Sequence, residues 1–130
     1  MLNDSITLTL PNGGTPVNVN ITRIDVLQNR SVSHEPAHKT TVRKTVGFYR
    51  TLPKRSGDFL GVAKSAVKST LDMTVQNAKG EPVISPMIGE ISFSIPIGAV
   101  EADIDTLLDR LEALIKSRSI IKRTLLGPEI

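Results

Sequence analysis

Between residues 89 and 115 the chain changes its period within a few positions. In GEISFSIP, Ile91, Phe93 and Ile95 alternate with Glu90, Ser92 and Ser94, the two-residue repeat of a strand with one apolar and one polar face. Beyond Pro96, the residues Val100, Ile104, Leu107, Leu108, Leu111, Leu114 and Ile115 recur at helical spacing, which gathers them into one stripe. Proline suits the junction because it has no N–H to donate to a strand ladder. A chain built this way must place something against the greasy helix stripe and something else against the polar strand face.

The rest of the sequence supplies more strands. In SITLTLPNGGTPVNVNIT, Ile6, Leu8 and Leu10 alternate with hydroxyl residues, Asn12-Gly13 turns the chain, and Val17, Val19 and Ile21 alternate on the return. Asn-Gly between alternating runs is a strong hairpin signal. RIDVLQNRSV reads as a third strand. TTVRKTVGFYRTL reads as a fourth, with Val42, Val46, Phe48 and Leu52 on one side and Thr41, Arg43, Thr45, Gly47 and Tyr49 on the other. KSAVKSTLDMTVQN is a fifth, with Val67, Leu71, Met73 and Val75 opposite Lys64, Ala66, Lys68, Thr70, Asp72 and Thr74. AKGEPVISP reads as a turn, and the stretch ending at Pro96 is the sixth strand. Glu101, Asp103 and Asp105 suit the positive end of the first helix dipole, and Lys116 and Arg118 its other end. A second short helix holds Ile120, Ile121, Leu125 and Leu126, closed by Gly127 and Pro128. The pattern predicts an α+β protein: six antiparallel strands, then two helices, in one domain spanning residues 1–130.

Composition narrows the function. Hydrophobic residues make up 39% of the 130, no apolar run reaches the roughly 18 residues of a membrane-spanning helix, and MLNDSITLTL lacks the pattern of a secretory signal. Cysteine is absent, which removes disulfides and thiolate metal sites; an intracellular protein is the expectation. From Arg23 to Lys79 there are eleven Lys or Arg against four Asp or Glu, and elsewhere five against nine. Positive charge concentrated in the strands favours a polyanion, of which nucleic acid is the commonest; a solvated basic surface is the plainer alternative.

HEPAH, residues 34–38, matches the zinc-protease pattern H-E-x-x-H. That motif needs a helix to bring both imidazoles to one face, and Pro36 in its middle argues for a loop. His34 and His38 are the only histidines, no third ligand stands out, and nothing nominates a nucleophile. The expectation is no enzyme, no metal and no cofactor.

The polar strand faces remain as the signal: Arg43, Thr45 and Tyr49 beside Lys64, Lys68 and Thr70. Cations suit phosphates, and hydroxyls suit phosphates or base edges. One amphipathic helix and a stub are too little to cover six strands, and an open sheet leaves edges that invite pairing. A homodimer answers both needs, with Ile104, Leu107, Leu108, Leu111 and Leu114 at the interface.

At this point the chain resembles the coat proteins of the single-stranded RNA bacteriophages, the leviviruses. LTLPNGGTPVNV is similar to the family's opening hairpin, and AVKSTLDMTVQNA to its central RNA-facing strand. ISFSIPIGAVEADIDTLLDRLEALI is similar to its last strand and first helix, and SIIKRTLLGPEI to its second helix and tail. The resemblance implies an N-terminal hairpin, a five-stranded antiparallel sheet and two C-terminal helices, interlocked as a dimer over a continuous ten-stranded sheet. It further implies an icosahedral capsid assembled in the host bacterial cytoplasm. In the virion the helices would lie outside, and the sheet would line an interior holding single-stranded RNA, with hairpin-mediated translational repression as an extension of RNA binding. Carried over by position, Lys68, Thr70, Thr74, Glu90 and Ser92 are RNA-facing; Thr41, Arg43, Thr45, Tyr49 and Lys64 join them by strand alternation. Ile88 stands where relatives that bind an operator hairpin often carry a stacking tyrosine, and Asp72 stands at a lysine-like position. A non-viral dimeric sheet protein that binds nucleic acid is the second reading.

Overall fold

The protein, a computed structural model in which residues 5–126 are described, forms one six-stranded antiparallel sheet in the order β1-β2-β3-β4-β5-β6, followed by two helices. β1 (Ser5–Leu10) and β2 (Val17–Leu27) form the opening hairpin. Its turn takes Asn12, Gly13 and Gly14 through positive φ in succession, which glycine accepts without a Cβ clash. On its polar side Thr7 Oγ1 donates to Asn20 Oδ1 (2.6 Å) and Thr9 Oγ1 to Asn18 Oδ1 (2.9 Å), so these polar groups satisfy one another. The hairpin is continuous with the five strands β2–β6, because β2 pairs β1 on one side and β3 on the other, and the whole matches the α+β fold that the resemblance implied.

RIDVLQNRSV is not one strand. β2 continues to Leu27, a tight turn at Gln28 and Asn29 follows, and β3 (Arg30–His34) returns with Leu27 opposite Arg30. The extra residue Ile24 makes a bulge in β2, which shifts the alternation and hides the turn from a simple period count. β4 (Lys44–Thr51) is shorter than the alternation suggests, leaving Thr41, Arg43 and Leu52 outside it.

β5 (Val62–Gln76) and β6 (Pro82–Pro96) form a ribbon paired along its whole length. Residues 82–86, expected in a turn, begin β6, since proline is tolerated as the first residue of a strand, as Pro82, and within an edge strand, as Pro86. The connection is only residues 77–81: Asn77 Oδ1 accepts the backbone N–H groups of Lys79 and Glu81, each at 2.9 Å. β4 pairs β5 only as far as Leu71, so the distal part of the ribbon projects past its neighbour.

α1 (Glu101–Lys116) begins with Glu101 and Asp103 in its first turn and ends on Lys116, whose Nζ lies 2.7 Å from Glu112 Oε1. α2 (Arg118–Leu126) packs against α1, and neither helix makes more than marginal contact with any strand. Gly127 and Pro128, expected to close α2, lie outside the described residues. No described helix is long and apolar enough to cross a membrane.

The core is small. Among the described residues, the buried hydrophobic side chains are Ile21, 1% exposed, and Val46, 8%; α1 buries none of its residues. One sheet face carries the apolar rows Phe48–Val67–Ile91, Leu71–Met87 and Val75–Val83, of which Val67, Met87, Val75 and Val83 are exposed. Leu107, Leu108 and Leu114 on α1 are exposed as well. Apolar surface is abundant on both layers, yet the chain does not bring them together.

Candidate nucleic-acid interface

The other sheet face is polar, and strand register fixes its rows. Thr45, Thr70 and Ile88 lie side by side across β4, β5 and β6; the next rows are Gly47–Lys68–Glu90, Tyr49–Ala66–Ser92 and Thr51–Lys64–Ser94. Seven of the expected RNA-facing residues therefore converge: Thr45, Tyr49, Lys64, Lys68, Thr70, Glu90 and Ser92. Thr51 and Ser94 share the face by the same alternation, and the cross-strand register sets them on either side of Lys64.

The remaining three are placed elsewhere. Thr41 is exposed in the connection between β3 and β4. Thr74 lies on the projecting ribbon opposite Ile84, beyond the end of β4. Arg43 precedes β4, and its charge is committed to Asp72: Nε donates to Oδ2 at 2.9 Å and Nη2 to Oδ1 at 3.1 Å, while the Arg43 backbone N–H also donates to Oδ2 at 2.8 Å. Asp72 returns its own N–H to the Arg43 carbonyl at 2.9 Å. The guanidinium and the amide together hold the Asp72 carboxyl below the usual carboxylate range, and Asp72 raises Arg43 in turn. This closed pair gives Asp72 a structural role: it anchors the β3–β4 connection to β5.

HEPAH occupies that connection. His34 ends β3, and His38 Nδ1 accepts the Lys44 N–H at 3.1 Å, which shapes the return into β4. The rings lie 5.4 Å apart, but on a strand end and a turn rather than one helix face. No group of three metal-ligating side chains occurs among the described residues.

Lys64 and Lys68 are the cations that the polar face leaves uncommitted: among the described residues neither forms an ion pair. Between them the sheet surface holds a cleft of about 290 Å³ lined by Tyr49, Lys64, Ser92 and Ser94, with Ala66 between the rows. A larger cleft of about 560 Å³ lies at the β2–β3 turn. There Arg50 reaches Asn29 Oδ1 (3.3 Å) and the Gln28 carbonyl (3.1 Å), which ties the turn to β4.

A single antiparallel sheet followed by two C-terminal helices is the fold class of the RNA-phage coat proteins. Solved structures share it across nearly the whole chain. The virus-like particle of bacteriophage AVE019 matches with a TM-score of 0.75 at 14% identity, covering 100% of this chain and 99% of that one. The virus-like particle of Beihai levi-like virus 32 matches with a TM-score of 0.73 at 17% identity, covering 86% and 88%. The bacteriophage EMS014 coat protein matches with a TM-score of 0.60 at 16% identity, covering 87% and 73%. These neighbours are capsid components, not enzymes. No protein-family model matches the sequence, and no curated protein matches it.

Proposed function

We propose that this chain is a capsid protein whose dimers assemble into a closed icosahedral shell around single-stranded RNA. The observation that carries the reading is the likeness of the whole chain to subunits of virus-like particles. The unfinished packing of the single chain supports the dimer: an apolar helix stripe and an apolar sheet face are both exposed, and each supplies what the other lacks. The outer edge of β6 is also open, so two subunits can continue one sheet through it. α1 of each subunit then covers the apolar face of its partner through Ile104, Leu107, Leu108, Leu111 and Leu114. The polar face is left for RNA, with Lys64 and Lys68 meeting phosphates and Thr45, Thr70 and Ser92 within reach of bases. Hairpin-mediated repression of translation would use this same face.

Electron microscopy of the purified protein tests the proposal. Uniform closed shells containing RNA are the expected result. Discrete dimers at every concentration would reject the capsid role in favour of a free nucleic-acid-binding dimer.

A further inference from the structure

Tyr49 sits on the polar face in an arrangement that strand alternation does not dictate. A Cβ built on Gly47 would fall 2.7 Å from Tyr49 Cε2 and Oη and 2.9 Å from Cζ. The ring therefore lies along β4, over the bare backbone of Gly47, which is buried. Any side chain at position 47 would drive the ring from this place. The phenol makes no hydrogen bond to a described residue, although a tyrosine hydroxyl in a settled packing role usually finds one.

The neighbourhood matches this geometry. The Tyr49 row has Ala66 in its centre and Ser92 at its far end, so a small side chain leaves the cleft beside the ring. The row on one side holds Lys68 and the row on the other holds Lys64. An aromatic side chain between two uncommitted cations is the combination that binds single-stranded nucleic acid, with bases on the ring and phosphates on the charges.

We propose that Tyr49 is a stacking platform for an unpaired base of single-stranded RNA. Gly47 acts as the positioning residue, Lys64 and Lys68 hold the flanking phosphates, and Ser92 and Ser94 face the base edge. The inference rests on the RNA reading of the polar face and adds the chemistry of the ligand: an unstacked nucleobase, not only a polyanion. It also moves the stacking surface. Ile88, where relatives that bind an operator hairpin often carry a stacking tyrosine by the family resemblance, lies in the Thr45–Thr70 row, two same-face rows from Tyr49 and so about 13 Å away along the strands.

The protein carries its own probe, because Tyr49 is its single tyrosine and tryptophan is absent. RNA-free dimers are titrated at low salt with single-stranded oligoadenylate and with an abasic ribose-phosphate strand of equal length and charge. Affinity and tyrosine emission are both followed. Oligoadenylate should quench the emission and bind about 5- to 150-fold more tightly per stacked base than the abasic strand. Tyr49→Phe should keep that advantage and Tyr49→Leu should lose it, with no change in the salt dependence of binding. Gly47→Ala, which retains the tyrosine but displaces its ring, should also lose it. Equal affinity for the two strands, or tight binding without quenching, overturns the base-stacking role and leaves the polar face as a charge-driven RNA site. Failure of both strands to bind rejects the RNA reading itself, and the stacking role with it.

Discussion

Leu114→Ala distinguishes a subunit that is complete alone from one completed by a partner. Leu114 is 52% exposed in the single chain, and truncation at a surface position of a self-sufficient monomer changes stability by about 0.5 kcal/mol or less. The chain as a whole says otherwise. It exposes 10203 Å², against about 6,700 Å² for a compact monomer of its 14.1 kDa mass. The excess of about 3,500 Å² exceeds the roughly 1,000–2,500 Å² that each subunit of an obligate dimer buries, and the surplus is available for contacts between dimers. If a partner covers Leu114, its truncation costs about 2–5 kcal/mol per site. Two copies per dimer make that about 4–10 kcal/mol, or roughly a thousand- to ten-million-fold in dissociation constant. Urea unfolding of dimers, followed by circular dichroism at two protein concentrations a hundredfold apart, measures this. Wild-type apparent stability should rise by about 2.7 kcal/mol over that range, and Leu114→Ala should yield unfolded or aggregated chain. Unfolding that is independent of concentration, with Leu114→Ala within about 0.5 kcal/mol of wild type, would refute the argument.

Two further outcomes follow from the charges on the polar face. Four lysines per dimer, Lys64 and Lys68 from each chain, give an expected slope of about −2.8 in log K against log salt for single-stranded RNA. Lys68→Ala should flatten it by about 1.4 in filter binding while dimers persist, and an unchanged slope would remove this face as the phosphate site. Asp72, whose carboxyl is held below its ordinary value chiefly by Arg43, stabilises the fold at pH above the unfolded carboxylate pKa of about 3.9, and that contribution fades as pH falls through the lower folded value. Asp72→Asn should therefore flatten the acid limb of stability below about pH 4; parallel urea midpoints for the two proteins across that range would contradict it.

What the sequence revealed was local, and what it concealed depended on register. The alternation in β1, β5 and β6 and the stripe of α1 are visible because each is written within one element at a fixed period. The turn at Gln28 and Asn29 was hidden because the bulge at Ile24 shifts the phase of β2 just before it. The partnership of Arg43 with Asp72 spans 29 positions, and no period within either segment signals it. Alternation therefore counted Arg43 among the RNA cations although a neighbouring strand neutralises it.

Gly47 carries this furthest. Within β4 it reads as a weakness, a residue that dilutes strand propensity between Val46 and Phe48. Its use appears only when Tyr49 lies across it and Lys68 stands beside it in the sheet. A glycine facing the polar side costs the apolar side nothing in packed surface, since Val46 and Phe48 still point that way. The polar face can thus gain a flat aromatic surface without disturbing the apolar face on the other side of the sheet. In the proposed capsid the alternation of the strand separates the two demands: one set of residues would answer to the second subunit and the other to the ligand, so that the two surfaces could change independently along the same eight-residue strand.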